Sequence, residues 1–369
     1  MNTPRSYDRY ERQVLLKDFG FEGQNRLSCS SVLVIGAGGL GCPALQYLAA
    51  AGIGTIGIVD DDVISIHNLH RQILFHTTDI GHKKAEVAAR RLNEMNDQVV
   101  INIYDQHLSN SNAFDILRNY DVVVDASDNF VTRYIVSDAC RLLNKPLVYG
   151  AISRYEGQVA VFNVGSDSTN YRDLFPEPPS PGSVANCSEA GVLGVLPGMI
   201  GVMQAAEVIK LVAGIGQPLI NRLYSYNAST NEGYVFDIEA REISHNVPKS
   251  VQEFEQFDYN WFCDRNLSMV EEIDTERFSA MLANPETLIV DVREEDETPH
   301  VTFEHTRMPL SLIKKSVPEV GKNIIVVFCQ SGKRSVEAAT LFNARYGDNV
   351  KVYSLKGGII NWISNGKKA

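Results

Sequence analysis

Apolar residues fall in short runs that alternate with helical periodicity. Val32 to Ile35 is an apolar strand running into glycines, Leu40 to Ala51 has the spacing of a helix, and Gly52 is placed to cap it. Thr55 to Val59 is the next strand and ends at Asp60. The alternation continues with a helix over His82 to Met95, a strand over Val99 to Tyr104, a short helix over Ala113 to Asn119 and a buried strand over Asp121 to Asp125. A helix over Phe130 to Leu143 and a strand starting at Pro146 follow. This order predicts an α/β fold, a doubly wound Rossmann-like sheet. The pattern then changes. Gln158 to Asn163 and Arg222 to Ile238 read as hairpin strands, an antiparallel extension, around a helix from about Gly198 to Val212. A polar and aromatic stretch over 246–272 reads as a linker between a domain at 1–245 and a small α/β domain at 273–369. In the latter, strands are expected at Leu288 to Val292, Ile324 to Phe328 and Lys351 to Tyr353, with helices near Val336 to Ala344 and Gly358 to Ile363.

The length of 369 residues suits two domains of unequal size. A net charge of −11 argues against a nucleic-acid or anionic-membrane surface. No apolar run approaches the ~20 residues needed to span a bilayer, and the first residues carry no apolar signal segment, so no membrane partner is expected. The cysteines at 29, 42, 140, 187, 263 and 329 form no C-x-x-C pair. A reduced cytoplasmic setting is the expectation.

Two motifs carry chemistry. Gly36-Ala37-Gly38-Gly39-Leu40-Gly41 is a turn in which Gly36, Gly38, Gly39 and Gly41 let phosphate approach the backbone at a helix N-terminus. Asp60, nineteen residues after Gly41, is placed to accept ribose hydroxyls. On these residues alone a NAD-dependent dehydrogenase is the default. The following residues shift the balance: Asn68 and Arg71 in Ile66 to Gln72, Lys84 after Gly81, and Asp128-Asn129. Arg71 and Lys84 can neutralise a triphosphate, and Asp128 can hold Mg²⁺ at the scissile linkage. Far downstream, Cys329-Gln330-Ser331-Gly332-Lys333-Arg334-Ser335 places a cysteine in a loop at a helix N-terminus beside two cations. That setting favours a thiolate, and equally a persulfide, with Lys333 and Arg334 supporting the charge.

The segment from Arg9-Tyr10-Glu11-Arg12-Gln13 to about Asp237 resembles the MoeB/ThiF family, relatives of the ubiquitin-activating enzymes. The resemblance rests on that start, Gly-x-Gly-Gly-x-Gly, Asn-Leu-x-Arg-Gln, Gly-x-x-Lys, Asp-Asn and Cys187-Ser188-Glu189-Ala190-Gly191. It implies adenylation of the C-terminal glycine of a ubiquitin-like sulfur carrier of the MoaD/ThiS type, ending in Gly-Gly. It further implies that Gly39, Asp60, Asn68, Arg71, Lys84, Asp128 and Asn129 line the ATP site. Arg12 would reach the triphosphate of the other subunit of a homodimer, and Cys187 is a candidate thiol for sulfur transfer. Many members carry two C-x-x-C pairs for structural zinc. Here the first place reads Asn170 to Asp173 and the second Asn246 to Ser250, so no zinc is expected and apolar packing should hold the hairpin region.

Residues 273 to 366 resemble a rhodanese domain, on Leu288 to Glu294, the Cys329 loop, and Tyr353-Ser354-Leu355-Lys356-Gly357-Gly358-Ile359 with Trp362. The segment after Glu294 departs from the family pattern. Cys329 would carry sulfane sulfur from a donor such as a cysteine desulfurase, with Asp291 and Arg293 bracing the loop. A phosphatase loop would need arginine at 335, where this chain has serine. Both resemblances together imply a carrier-activating enzyme that ends in a carrier thiocarboxylate, serving molybdopterin or thiamine synthesis. The alternatives are a non-catalytic scaffold that binds a ubiquitin-like carrier, and a dehydrogenase with a sulfur-binding domain.

Overall fold

The computed structural model describes residues 8–179, 191–241, 247–260, 262–263, 270–294 and 297–365. The chain forms two compact units, one running to Tyr259 and the other from Asn260 onward.

The first unit is built on an eight-stranded sheet of order β3-β2-β1-β4-β5-β6-β7-β8. β1 (Ser31–Ile35), β2 (Thr55–Val59), β3 (Val100–Tyr104), β4 (Val122–Asp125) and β5 (Leu147–Ser153) are parallel. β6 (Glu156–Phe162), β7 (Arg222–Asn227) and β8 (Glu232–Asp237) continue the sheet antiparallel. β1 and β4 are central, which explains their unbroken apolar runs: both faces are covered by helices. The chain reverses order between β1 and β4, so the carboxyl ends of these two strands open into a crevice.

The Leu196–Ala213 helix packs under the sheet. It is long and apolar enough to cross a membrane by length and composition, contrary to the expectation that no segment would approach that length. Half of it is buried within this fold, and Gln204 on it donates to the carbonyl of Asp125 at 2.7 Å. Its apolar character therefore belongs to the core.

The stretch read as a linker is divided by the structure. Residues 247–259 fold onto the first unit: the Val251–Gln256 helix buries Phe254 edge-on against Phe114, with centroids 4.8 Å apart. The Tyr259 hydroxyl donates to Asp138 at 2.8 Å. At the other end, β9 (Glu271–Ile273) pairs with β13 (Lys351–Leu355) and belongs to the second unit. The sequence masks this because a single buried ring on a six-residue helix gives no periodicity.

The hairpin region is not held by apolar packing alone, and here the expectation is corrected. At the place of the first missing cysteine pair, Arg172 grips the buried Asp138 through two bonds of 2.8 and 2.7 Å. Asp173 accepts the Arg241 backbone N–H at 2.7 Å, and Arg141 donates to the Pro248 carbonyl. Around these bonds Tyr134, Tyr149, Tyr171 and Phe175 pack ring on ring.

The second unit is a five-stranded parallel sheet, β11-β10-β12-β13-β9, with β10 at Thr287–Asp291, β11 at Thr306–Arg307 and β12 at Ile324–Phe328. β12 is central and all apolar, and its carboxyl end delivers Cys329.

Candidate functional site

In the first unit a cavity of about 320 Å³ opens at the carboxyl ends of β1, β2 and β4. Its floor is the glycine turn. Gly36 has φ +95°, and a Cβ on Gly41 would lie 1.9 Å from the Gly36 carbonyl oxygen, so no side chain fits there. That close approach turns the N-terminus of the Gly41–Ala51 helix towards the cavity, where free N–H groups favour an anion.

Asp60 fixes the turn as well as lining the cavity. One carboxylate oxygen accepts the Ala37 N–H at 2.7 Å and the other the Asp62 N–H at 2.9 Å. Burial raises its pKa, while Lys84 and the two N–H groups pull it down in part. Lys84 heads the Lys84–Met95 helix, is nearly buried, and gives its ammonium to Asp62 at 2.8 Å. Arg71 lies at the rim, and its guanidinium donates to the His67 carbonyl at 3.0 Å. Asp128 and Asn129 also line the cavity. Asp128 is exposed, and Asn129 caps the Phe130–Leu143 helix by accepting the Thr132 N–H at 2.9 Å.

The structure thus gathers Gly36, Gly38, Gly39, Asp60, Arg71, Lys84, Asp128 and Asn129 around one cavity, with Gly41 shaping the turn beneath. Two expected residues stand elsewhere. Asn68 is buried outside the lining. Its side chain accepts the Ser65 N–H at 3.1 Å, and its carbonyl accepts the N–H groups of Arg71 and Gln72 at 3.0 and 2.9 Å. It therefore sets the turn that presents Arg71 and Gln72. Arg12 is exposed on the Glu11–Val14 helix and does not line the cavity of its own chain. Cys187 lies outside the described residues. Among the described residues no cluster of three or more His, Cys, Asp or Glu is placed to hold a metal ion.

The sequence reading missed Arg133. It lines the cavity but is buried, stacks over Tyr149 with 5.6 Å to the ring centroid, and donates to the Ser127 carbonyl at 3.2 Å. Its Nε has no partner. Burial works against its charge, but Tyr149, Tyr171 and Asp125 outweigh that, and the net shift is upward. Asp125 is buried beside it and shifted up by burial, against the pull of Arg133 and Ser127. A signal existed: Arg133 follows Asn129 by four residues, so both share one helix face. Gln72 was likewise passed over, although its amide faces Gly38, whose missing Cβ would lie 3.8 Å from Nε2.

In the second unit Cys329 is buried at the end of β12. The Gly332 N–H donates to its sulfur at 3.2 Å, and the thiol lies 3.6 Å from the Ser335 hydroxyl. Gly332 has φ +95° and starts the Lys333–Tyr346 helix. The Gly357-Gly358 turn closes the other side. A Cβ on Gly358 would come within 2.5 Å of the Cys329 carbonyl, which instead accepts the Ile359 N–H at 2.8 Å. Asp291 and Arg293 form a fully buried pair at 2.8 Å beside Phe328. Both terminal nitrogens of Arg334 pair with Glu297, at 2.5 and 2.6 Å. The placement of the Lys333 side chain lies outside the described residues.

A nucleotide-sized cavity over a glycine turn, and a cysteine loop at a helix start, are the marks of a nucleotide-dependent activating domain joined to a sulfur-handling domain. The ThiF family pattern matches residues 10–249, and the rhodanese-like domain pattern matches residues 274–365. The chain belongs to the ThiF family and carries a C-terminal rhodanese-like domain. A sulfur carrier protein adenylyltransferase of Thermus thermophilus is 53% identical over 230 residues, covering 61% of this chain and 85% of that protein. The probable adenylyltransferase/sulfurtransferase MoeZ of Mycobacterium tuberculosis is 38% identical over 378 residues, covering 96% and 92%. The adenylyltransferase and sulfurtransferase MOCS3 of Arabidopsis thaliana is 37% identical over 395 residues, covering 98% and 84%. Among solved structures, E. coli MccB in complex with MccA-N7isoASN aligns at TM-score 0.58 and 20% identity, over 65% of this chain and 74% of that one, a likeness of fold. The chain is an adenylyltransferase and sulfurtransferase of this family. Neither the dehydrogenase nor the scaffold alternative finds support among these relatives.

Proposed function

We propose that the chain uses ATP to adenylate the C-terminal glycine of a ubiquitin-like sulfur carrier ending in Gly-Gly, and then converts it to a thiocarboxylate with sulfur from Cys329. The observation that carries this reading is the single cavity holding Asp60, Arg71, Lys84 and Asp128 over the glycine turn, in a chain that also holds the Cys329 loop.

The carrier carboxylate oxygen attacks the α-phosphorus and pyrophosphate leaves. Lys84 and Arg71 offset the charge on the phosphates, and Asp60 holds both the ribose and the turn. Asp128, exposed at the cavity wall, is the residue that would hold Mg²⁺ together with phosphate oxygens, a coordination typical of that ion. The Cys329 persulfide then attacks the acyl carbon and AMP leaves, giving a carrier acyl disulfide. Attack by the Cys187 thiolate on the Cys329 sulfur releases the carrier thiocarboxylate and leaves a Cys187–Cys329 disulfide, which an external thiol reduces. The persulfide is replenished by a donor such as a cysteine desulfurase. In this reading the protein is a cytoplasmic homodimer in which Arg12 serves the partner's triphosphate, and the product feeds molybdopterin or thiamine synthesis.

Carrier-dependent ATP–pyrophosphate exchange tests the first half, with candidate Gly-Gly carriers from the same genome. Cys329→Ser should leave exchange intact and abolish thiocarboxylate formation. Exchange with no carrier, or thiocarboxylate formed by Cys329→Ser, would overturn the reading.

A further inference from the structure

Arg334 is the described cation nearest in sequence to Cys329, five residues on, and its guanidinium is already engaged. Its guanidinium forms a two-pronged pair with Glu297, a residue in the segment that departs from the rhodanese pattern. The Glu297 carboxylate also accepts the Glu294 N–H at 2.9 Å, so it is fixed on three sides. The bond to Arg334 drives its pKa down to about 2, and it stays charged at any pH where the protein works. Arg334 is also close enough to feel charge on Cys329, and Glu294 adds a further negative charge to its surroundings. Arg293, the neighbouring cation, shares the Asp291 carboxylate with Arg307. The described part of the sulfur loop therefore presents a cation already matched by a carboxylate.

The consequence concerns sulfur donors. Loading from thiosulfate requires a thiolate to attack the sulfane sulfur of a dianion: the new S–S bond forms on Cys329, the old S–S bond breaks, and sulfite leaves with its electron pair. Three negative charges meet in that encounter, so the step gains from each uncommitted cation at the loop. A persulfide carried on another protein brings its own surface for docking and a single negative charge.

We propose that Glu297 biases the donor preference of the sulfur loop: by holding Arg334, it takes that cation away from small dianionic donors and so favours protein-borne persulfides at Cys329. The proposal rests on the reading of Cys329 as the sulfur-bearing residue.

The test uses the full-length protein with thiosulfate as donor and cyanide as acceptor. Glu297→Gln should raise kcat/KM for thiosulfate about fivefold, the upper end expected when one partly exposed charge is uncovered. The double variant Glu297→Gln with Arg334→Gln should lose that gain. A second readout is the ratio of alkylation rates at Cys329 by iodoacetate and iodoacetamide, followed by peptide mass spectrometry. The ratio should rise in Glu297→Gln and fall back in the double variant. Should Glu297→Gln fail to fold, Glu297→Asp keeps the charge but shortens its reach, and a smaller gain is expected. A thiosulfate rate and alkylation ratio that both stay at the wild-type level would overturn the proposal and leave the pair a structural contact. Loading from a cysteine desulfurase charged with cysteine separates the two failures. If neither wild type nor variant gains sulfur on Cys329 from it, the reading of Cys329 itself fails.

Discussion

Lys84 offers the sharpest test of the nucleotide site. Its side chain is 6% exposed, and its ammonium stands 2.8 Å from Asp62, whose side chain is 70% exposed. At that distance the bare attraction is between about 1.5 and 6 kcal/mol for effective dielectrics of 80 to 20. With Asp62 mostly in water the net value falls to about 1 kcal/mol. A triphosphate arriving in the cavity can therefore take Lys84 from Asp62 at little cost. Removing the lysine charge should cost transition-state stabilisation of about 3–4 kcal/mol, or 10²–10³ in rate, as for loss of one preorganised donor. Lys84→Met should accordingly reduce carrier-dependent pyrophosphate exchange at least a hundredfold, and Asp62→Asn should change it less than fivefold. The pH response supplies a second mark. Burial raises the Asp60 carboxyl, and Lys84 is the largest influence holding it down. Nucleotide retention that needs the carboxylate is lost as pH falls through this raised pKa, and in Lys84→Met the loss should begin at higher pH. Exchange within threefold of wild type in Lys84→Met, or an equal loss in Asp62→Asn, would refute this account of the site.

Gly41→Ala would set a methyl group against the Gly36 carbonyl, which is backbone and cannot swing aside. We expect a loss of more than about 2 kcal/mol in stability and of ATP-induced thermal stabilisation, measured by calorimetry with and without ATP. Asp138→Asn leaves Arg172 without its buried partner and should destabilise the first unit by about 3–5 kcal/mol in urea. Tyr259→Phe removes one hydrogen bond to the same carboxylate and should cost about 1.5–3 kcal/mol; a larger effect than Asp138→Asn would show that the ion pair is not the centre of that cluster.

Much of this architecture is legible in the chain because its signals are local. β1, β2 and β12 are apolar runs ended by glycine, aspartate or cysteine, and both central strands must be apolar when helices cover both faces. The glycine turn, Asp60 and Asp128 could be named because a phosphate site on such a sheet draws on strand ends, and Arg71 and Lys84 because a triphosphate beside that turn needs cations. What the chain could not reveal depends on partners distant in sequence. Asn68 is the exception: its partners are local, Ser65 and the N–H groups of Arg71 and Gln72, and it shapes the turn that presents Arg71. Arg334 looks like the cation of the sulfur loop but is claimed by Glu297, 37 residues upstream. Arg172 and Asp138, 34 residues apart, join Tyr259 of the supposed linker in one buried cluster. Residue type and spacing determine which charges can serve a site. Only the packed chain determines which are already neutralised, because a charge brought out of water must find its counter-charge wherever the fold supplies one.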